Sequence, residues 1–263
     1  MSKETSQSLP VVILVGGQGT RMRGDTPVKK ELVEVGGRPI LWHVMKIFAA
    51  FGHNHFILAL GHQADALKRY FLEFEPMSRD FTLRLGDAGE IDYHQHNQDD
   101  WRVTLADTGL RTDKGSRIRR VAHYVDGDTF FVTYGDGVGD VDLHALLAFH
   151  RAHGRLATLT GVRARWQYGI VHADAAGQVS GFEEKPLLDH WINGGFMVFN
   201  RGVFDYLGDG DDTDLEGETL PRLAADGQLM MYRHTGFWRS MDTFKEARML
   251  DELWHREHPW KVW

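Results

Sequence analysis

Apolar residues along the first half of the chain follow two alternating patterns. Val11 to Val15 is a short, continuous apolar run, which is typical of a strand buried on both faces of a parallel sheet. After Pro39, apolar side chains recur at helical spacing from Leu41 to Phe48, and Gly52 ends this pattern. A second apolar run, Phe56 to Leu60, follows. These patterns predict a strand, a helix and a second strand, with a glycine-rich loop directly after the first strand.

The alternation continues further along the chain. A helical stripe runs from Leu67 to Phe74, and Thr129 to Tyr134 is a third buried strand. A helix is expected from about Leu143 to Gly154, with a strand at Ala157 to Val162. Such alternation predicts the α/β class: a Rossmann-like, mixed but mostly parallel twisted sheet with helices on both faces. Ligands of such sheets bind beyond the carboxyl ends of the strands.

The pattern changes from about residue 167 onward. Short strands are expected at Gly169 to Ala173, Val179 to Glu183 and Gly195 to Asn200, and we interpret them as mixed or antiparallel additions to the same sheet. Gly208 to Glu218 is acidic and rich in turn residues, which predicts a surface loop.

The chain shows no internal repeat and no clear linker. We expect a flexible lead-in over residues 1–10 and one domain over residues 11–263. Thr243 followed by Glu246 resembles a capping box and predicts the start of a C-terminal helix.

Composition narrows the chemistry. The 263 residues include no cysteine, which excludes disulfides, thiolate nucleophiles and cysteine-ligated metals. The formal net charge of −7 argues against nucleic acid as a partner, although a local basic pocket can still bind a small anion.

No apolar run approaches the ~18 residues that a membrane span needs, so we expect a cytoplasmic protein. His94 and His96 form an H-x-H pair without a third ligand, which favours a loop or subunit contact over a zinc site.

The first loop, residues 16–21, carries the strongest chemical signal. Gly16, Gly17 and Gly19 let the backbone approach an anion closely, and Arg21 adds a charged fork suited to phosphate. A dinucleotide fingerprint would need a glycine at position 22, where this chain has methionine, and no Walker A lysine follows. The loop therefore predicts a phosphate site that belongs to neither class.

The string GGQGTRM, followed by KELVEVGGRPILWHV, resembles the opening signature of the sugar-1-phosphate nucleotidyltransferases. Further segments resemble the glucose-1-phosphate cytidylyltransferase branch: WRVTLADTG, TYGDG, FEEKP, INGGFMVFN and GFWRSMDT. They occur in the same order and extend from about Val11 to Trp254. The resemblance implies the nucleotide-diphospho-sugar transferase fold. It also implies transfer of a nucleoside monophosphate, with CTP and glucose 1-phosphate as the favoured substrates and CDP-glucose and pyrophosphate as products.

The resemblance also implies roles for individual residues. Arg21 and Lys30 would neutralise the departing pyrophosphate and the α-phosphate, and Asp136 would complete the catalytic set. Asp136 and Asp242 would hold Mg²⁺, which prefers carboxylates, phosphates and water. The implied nucleotide-binding residues are Leu14, Gly16, Gly17, Gly19, Thr20, Arg21, Lys30, Thr108, Gly115, Arg117, Tyr134, Gly135 and Asp136. The implied sugar-phosphate-binding residues are Tyr168, Gly169, Glu184, Lys185, Asn193, Gly194 and Gly195. A homo-oligomer is also implied.

Several alternatives remain open. The branch has prolines around the signature lysine where this chain has Lys29-Lys30-Glu31, so Lys29 is a second candidate for the role of Lys30. Lys114 and Ser116 replace a threonine and a glycine of the base-binding loop, which leaves another NTP or another sugar 1-phosphate open. Without the family, Asp136 is equally a turn residue and Asp242 a residue ahead of a helix cap. The rival from a different class is a non-catalytic nucleotide-sugar sensor.

Overall fold

A computed structural model describes residues 8–18, 28–86, 89–94, 100–164, 168–187 and 189–263. Within these residues the strands are β1 (Pro10–Leu14), β2 (Glu34–Val35), β3 (Arg38–Pro39), β4 (His55–Leu60), β5 (Phe81–Leu83), β6 (Ile91–Tyr93), β7 (Arg102–Asp107), β8 (Thr129–Tyr134), β9 (Gly137–Gly139), β10 (Ala157–Val162), β11 (Ile170–Ala173), β12 (Val179–Glu183), β13 (Ile192–Asn193), β14 (Met197–Asn200), β15 (Leu229–His234) and β16 (Trp238–Ser240). The α-helices are α1 (Ile40–Ala50), α2 (Ala64–Leu72), α3 (Phe74–Ser78), α4 (Lys114–Arg120), α5 (Leu143–His153), α6 (Leu220–Ala225) and α7 (Phe244–Arg256).

Most strands of the main sheet are parallel. Its central order is β10, β14, β8, β1, β4 and β7, and β13 and β15 both pair with β10. β8, β1, β4 and β7 are parallel neighbours, as are β10 and β15, whereas β14 is antiparallel to both β8 and β10. The predicted strands and helices of the first half occur at these places, which confirms the mixed, mostly parallel sheet.

Alternation of side chains along the strands accounts for a core on each face of this sheet. Val11 and Ile13 of β1 contribute to one apolar cluster, which is covered by α1, α5 and α7. Val12 and Leu14 point to the opposite face and join a second cluster, which includes residues of α4 and α6. Every residue of β1 is buried, as its continuous apolar run predicts.

The second half differs from the prediction in one respect. β14 joins the main sheet as an antiparallel strand, as expected, but β11 and β12 pair only with each other within the described residues. All four residues of β11 are exposed, and Val179 and Phe182 of β12 are also exposed. Strand propensity predicted the two strands correctly, whereas their place outside the main sheet depends on tertiary pairing that propensity does not encode.

The acidic segment Gly208 to Glu218 is more ordered than the predicted surface loop. Leu215 begins one turn of π-helix that ends at Thr219, and its own side chain is fully buried. Thr213 is also buried, and its backbone N–H donates to Ser116 Oγ at 3.0 Å. The acidic composition of the segment gave no indication of these buried residues. The surface-loop prediction was therefore wrong for the second half of the segment.

The C-terminal helix begins as predicted at a Thr243 cap. Thr243 Oγ1 accepts a 3.2 Å hydrogen bond from the Glu246 N–H. In return Glu246 Oε2 accepts a 2.8 Å bond from the N–H of Asp242, one residue earlier than in the standard capping box. The cap therefore fixes the backbone of Asp242. No helix of the described residues is both long and apolar enough to cross a membrane.

Candidate active site

A cavity of about 470 Å³ lies beyond the carboxyl ends of β1 and β8. This is where the topology predicted a ligand, and the volume is typical of small-molecule sites. The lining residues are Leu14, Gly16, Gly17, Gln18, Lys30, Glu31, Leu110, Arg111, Thr112, Asp113, Lys114, Arg117, Tyr134 and Asp136. Seven residues of the predicted nucleotide set are among them: Leu14, Gly16, Gly17, Lys30, Arg117, Tyr134 and Asp136.

The glycine loop forms one wall of the cavity. A Cβ atom on Gly16 would lie 2.3 Å from the Arg117 guanidinium, so the backbone can approach Arg117 only without a side chain. Gly17 has open space where its side chain would be. The remaining predicted residues of the loop, Gly19, Thr20 and Arg21, lie outside the described residues.

Lys30 lies between the two aspartates that were predicted to bind metal. Its Nζ is 2.5 Å from Asp136 Oδ2 and 2.7 Å from Asp242 Oδ1. Burial by itself lowers the pKa of Lys30, but the two carboxylates together raise this pKa above its ordinary value. The ammonium therefore keeps its charge at neutral pH.

Two short strands bring the aspartates together although they are far apart in sequence. β9 directly follows Asp136, β16 ends two residues before Asp242, and the two strands pair antiparallel. The Met241 N–H also donates a 2.9 Å hydrogen bond to the Asp136 carbonyl. Asp136 is thus a turn residue and Asp242 a residue next to the cap, as the alternative interpretation expected. The same geometry places both carboxylates around one cation.

The chemistry of this pair fits a hydrated divalent metal ion. Its carboxylates already face a common cation, the Lys30 ammonium, and the second oxygen of Asp242 accepts from Ser240 Oγ at 3.2 Å. No group of three or more histidine or carboxylate side chains able to hold a metal occurs in the described parts of the chain. Two carboxylates complemented by water and phosphate oxygens are a common magnesium environment, whereas a protein-only cage needs more ligands.

Lys29 and Lys30 have different surroundings. Lys29 is 3% exposed, and its Nζ donates to the Gly17 carbonyl at 2.9 Å and lies 3.2 Å from Glu31 Oε2. Burial raises the pKa of Glu31, and the Lys29 charge opposes that rise. Lys29 therefore holds the backbone of the glycine loop at Gly17, whereas Lys30 faces the two aspartates. Glu31 is a site residue that the sequence did not reveal.

Arg117 contacts the protein backbone below the cavity. Its guanidinium donates to the carbonyls of Leu60, Gly109 and Gly16 at 2.9, 2.8 and 3.2 Å, and to Thr108 Oγ1 at 2.7 Å. Burial lowers the pKa of Arg117 from its ordinary value, with Arg120 adding to the effect. These hydrogen bonds connect the glycine loop to the ends of β4 and β7, which is a positioning role.

The structure places three other predicted nucleotide-binding residues behind the cavity wall. Thr108 is buried and donates its hydroxyl to the Leu60 carbonyl. A Cβ on Gly115 would meet the Thr213 carbonyl at 2.7 Å, and one on Gly135 would meet Val15 at 2.6 Å. Close packing against the protein explains the glycines at positions 115 and 135.

The predicted acceptor residues fall into two groups. Asn193, Gly194 and Gly195 form a bend at the end of β13, where Gly195 has φ +75° and donates its N–H to Asn193 Oδ1 at 3.0 Å. Trp238 Nε1 donates to the Gly194 carbonyl at 2.8 Å. We call residues 193–195 the acceptor loop.

The second group lies on the β11–β12 hairpin. Tyr168 is 68% exposed, and Gly169 packs so closely on Phe182 that a Cβ would lie 2.2 Å from its ring. Glu184 and Lys185 follow β12 and form an exposed ion pair of 3.0 Å. None of these hairpin residues lines the cavity described above.

A polar chain links the cavity to the acceptor loop. Tyr134 donates its hydroxyl to Glu216 Oε1 at 2.6 Å and accepts from Asn193 Nδ2 at 3.0 Å. Lys114 Nζ also lies 2.5 Å from Glu216 Oε1. The sequence missed Glu216 because it stands in the acidic segment. The one signal in the sequence was the apolar Leu215 directly before Glu216, which interrupts the acidic segment and is buried in the fold.

The H-x-H pair received a loop interpretation from the sequence. His94 follows β6, and its Nε2 is 2.8 Å from Thr82 Oγ1. His96 lies outside the described residues. The interaction of His94 is consistent with a local contact.

A family model described as Nucleotidyl transferase matches residues 10–251. The chain belongs to the nucleotidyl transferase family. This nucleotidyltransferase is 43% identical over 259 residues to "Glucose-1-phosphate cytidylyltransferase" of Salmonella typhi, with 97% of this chain and 100% of the relative covered. It is 40% identical over 257 residues to "Probable glucose-1-phosphate cytidylyltransferase" of Bacillus subtilis, with the same coverage of 97% and 100%.

The fold of the nucleotidyltransferase also occurs in a solved structure. The crystal structure of HddC from Yersinia pseudotuberculosis complexed with GMP-PN has a TM-score of 0.67 and 18% sequence identity, and the match covers 93% of this chain and 98% of that chain. At this identity the likeness concerns the fold alone. It agrees with the predicted α/β architecture. The family match confirms the prediction that the chain is a nucleotidyltransferase.

Proposed function

We propose that the enzyme transfers the cytidylyl group of CTP to glucose 1-phosphate, which gives CDP-glucose and pyrophosphate. The observation that carries this proposal is the 43% identity to a glucose-1-phosphate cytidylyltransferase across that relative's full length. The cluster of Lys30, Asp136 and Asp242 beside the cavity supports it. The reaction brings two anions together and needs cations, which Lys30 and a metal ion held by the two aspartates would supply.

The reaction is one displacement at the α-phosphorus of CTP. A phosphate oxygen of the sugar phosphate forms a new bond to this phosphorus, and the bond to the pyrophosphate oxygen breaks. No covalent enzyme intermediate is needed, so positioning and charge stabilisation account for the acceleration. The backbone of Gly16, Gly17 and Gly19 would cradle the phosphates, and Arg21 would meet the departing pyrophosphate.

Lys30 is the charged group that we assign to the α-phosphate, because it lines the cavity and faces both aspartates. Its raised pKa keeps it protonated, so its N–H groups can donate to the α-phosphoryl oxygens. Asp136 and Asp242 would hold Mg²⁺, which when bound supplies charge neutralisation to the phosphate oxygens. With the carboxylates so engaged, the ammonium of Lys30 is available to the substrate.

The acceptor would bind on the side of Asn193. The side-chain amide of Asn193 presents its Oδ1 to Gly195 and one N–H to Tyr134, which leaves its second N–H for a sugar hydroxyl. Tyr168, Gly169, Glu184, Lys185 and Gly194 would complete this part of the site. Lys185, exposed at the end of the hairpin, is the cation that we assign to the sugar phosphate.

We also propose that the enzyme works as a homo-oligomer. Apolar side chains are exposed on two hairpins that stand apart from the main sheet, β5–β6 with Phe81, Leu83 and Ile91 and β11–β12 with Val171 and Phe182. Apolar surface of this kind is typical of protein interfaces. Light scattering of the purified protein measures the assembly, and a monomeric mass at all concentrations would contradict it.

A substrate panel tests the proposed function. Pyrophosphate release is measured with CTP, UTP, dTTP and GTP, each combined with glucose 1-phosphate, mannose 1-phosphate and galactose 1-phosphate. The highest kcat/KM is expected for CTP with glucose 1-phosphate. A higher value for another pair would change the assigned substrates. If nucleotides bind but no pair reacts, the chain is a nucleotide-sugar sensor.

A further inference from the structure

Glu216 contacts two neighbouring side chains of the cavity, Lys114 and Tyr134, whose ammonium and ring lie 5.5 Å apart. Its Oε1 atom accepts from the Tyr134 hydroxyl at 2.6 Å and lies 2.5 Å from Lys114 Nζ. Lys114 and Tyr134 both line the cavity that we assign to the nucleotide. The carboxylate belongs to the π-helical turn Leu215–Thr219, and such turns are frequent at functional sites.

On the other side of Tyr134, the chain of hydrogen bonds reaches the acceptor loop. An ionised carboxylate only accepts hydrogen bonds, so the Tyr134 hydroxyl must donate to Glu216 and accept from Asn193 Nδ2. This assignment leaves Asn193 Oδ1 to accept the Gly195 N–H. Glu216 therefore determines, through Tyr134, which way the Asn193 amide faces.

The surroundings of these side chains favour the hydrogen bonds between Glu216, Tyr134 and Asn193. Burial raises the pKa of Tyr134, and the neighbouring Glu216 charge raises it further, so the hydroxyl keeps its proton. Glu216 Oε2 is buried, and no hydrogen-bond partner for it occurs among the described residues. The contacts of Oε1 therefore hold this carboxylate, whose side chain is 33% exposed, and hydrogen bonds that share an atom polarise one another.

We propose that Glu216 is a positioning residue that couples nucleotide binding to acceptor binding. A nucleotide that engages Lys114 takes a competing cation away from Glu216 Oε1. The carboxylate then accepts more strongly from Tyr134, which holds the Asn193 amide in its donating orientation toward the acceptor. This inference rests on the proposed function, since it takes the cavity as the nucleotide site and residues 193–195 as part of the sugar-phosphate site.

Calorimetry measures the coupling directly. The Kd of glucose 1-phosphate is determined with and without a saturating, non-hydrolysable α,β-methylene analogue of CTP. For the unchanged protein we expect the analogue to lower this Kd about fivefold, within the usual range of coupling between sites. The ratio should fall to about one in Glu216→Ala and in Tyr134→Phe, because each breaks the chain at one link.

Glu218→Ala is the matched control, since Glu218 is exposed on the same turn. It should retain the ratio of the unchanged protein. A ratio of one in the unchanged protein, or an unaltered ratio in both Glu216→Ala and Tyr134→Phe, would overturn the inference, whatever the melting temperatures of the variants. Turnover of CTP and glucose 1-phosphate by the unchanged protein is recorded alongside. Its absence refutes the proposed function, whereas turnover without coupling refutes only the role of Glu216.

Discussion

Lys30 donates a 2.7 Å hydrogen bond to Asp242, a residue 212 positions later in the chain. The same ammonium lies 2.5 Å from Asp136, so one cation joins the two carboxylates. Two carboxylates that share one ammonium would repel each other without a cation between them. We therefore expect these three residues to act together, with Lys30 and a metal ion sharing the negative charge of the aspartates and the phosphates.

Replacing either aspartate by asparagine should abolish turnover and leave the fold intact. Both side chains are partly exposed, and asparagine preserves their shape, so little packing is lost. We expect Asp136→Asn and Asp242→Asn to lower kcat at least about 100-fold, a usual cost of removing charge stabilisation from a transition state. Pyrophosphate release and circular dichroism melting measure the two effects. An unfolded variant would favour a purely structural role in the turn or beside the cap.

Lys29 and Lys30 should respond oppositely to the same substitution. Lys30→Met should lower kcat at least about 100-fold, since it removes the cation that we assign to the α-phosphoryl oxygens. Its cost in stability should be small, because both aspartates are partly exposed and solvent screens their repulsion. Lys29→Met leaves the buried Glu31 carboxyl without its ion-pair partner, which typically costs about 3 kcal/mol of stability. Urea unfolding and steady-state kinetics separate the two outcomes.

A double variant provides the control for the buried pair. Lys29→Met combined with Glu31→Leu removes both charges, and we expect it to recover most of the stability lost by Lys29→Met. Loss of kcat in Lys29→Met at full stability would show instead that Lys29 shares the catalytic role of Lys30.

Replacing Arg117 tests whether its hydrogen bonds hold the glycine loop in place. Lysine keeps the charge but cannot reproduce the planar fork that donates to Gly16, Leu60 and Gly109. We expect Arg117→Lys to raise the KM for CTP about tenfold and to leave the KM for the sugar phosphate nearly unchanged. An equal rise in both KM values would indicate general damage to the fold.

Two buried histidines should make stability depend on pH. Burial lowers the pKa of His43 from 6.5 to about 4, and it does the same for His53 with help from His144 and Arg151. The unfolded chain takes up these protons near pH 6.5, whereas the folded chain stays neutral until about pH 4. Stability should therefore fall as the pH drops from 6.5 to 4, by at most about 3 kcal/mol for each histidine.

Urea unfolding at pH 7 and pH 4.5 measures this dependence. His43→Gln removes one titrating group, so the difference between the two pH values should shrink even though the variant is less stable overall. An undiminished difference would show that other groups cause the acid sensitivity.

The sequence predicted the positions of the strands along the chain, and several residues of the cavity, better than it predicted how distant segments meet. The apolar runs at Val11 and Phe56 are local patterns, and the structure has a strand at each of them. The approach of Asp242 to Asp136 depends on the pairing of β9 with β16, a long-range contact that no local pattern contains. Glu216 was missed for a related reason, because its importance comes from Tyr134 and Lys114, which are distant in the chain.

The choice between Lys29 and Lys30 also required the structure. Neighbouring lysines have the same chemistry and helical propensity, and only their surroundings differ. In the fold Lys29 contacts the backbone of the glycine loop, and Lys30 contacts the aspartates. The family resemblance favoured Lys30 for the catalytic role, and in the structure Lys30 lies against the two aspartates whereas Lys29 is buried against Gly17 and Glu31.

Phosphorus NMR of a reaction mixture tests the central claim most directly. The protein is incubated with CTP, glucose 1-phosphate and MgCl₂, and Asp136→Asn serves as the matched control. We predict that the signals of the sugar phosphate and of the three CTP phosphates decline together, while those of pyrophosphate and of a nucleoside diphosphate sugar rise in equal amounts. Unchanged spectra, or release of pyrophosphate without a diphosphate sugar, would contradict the account.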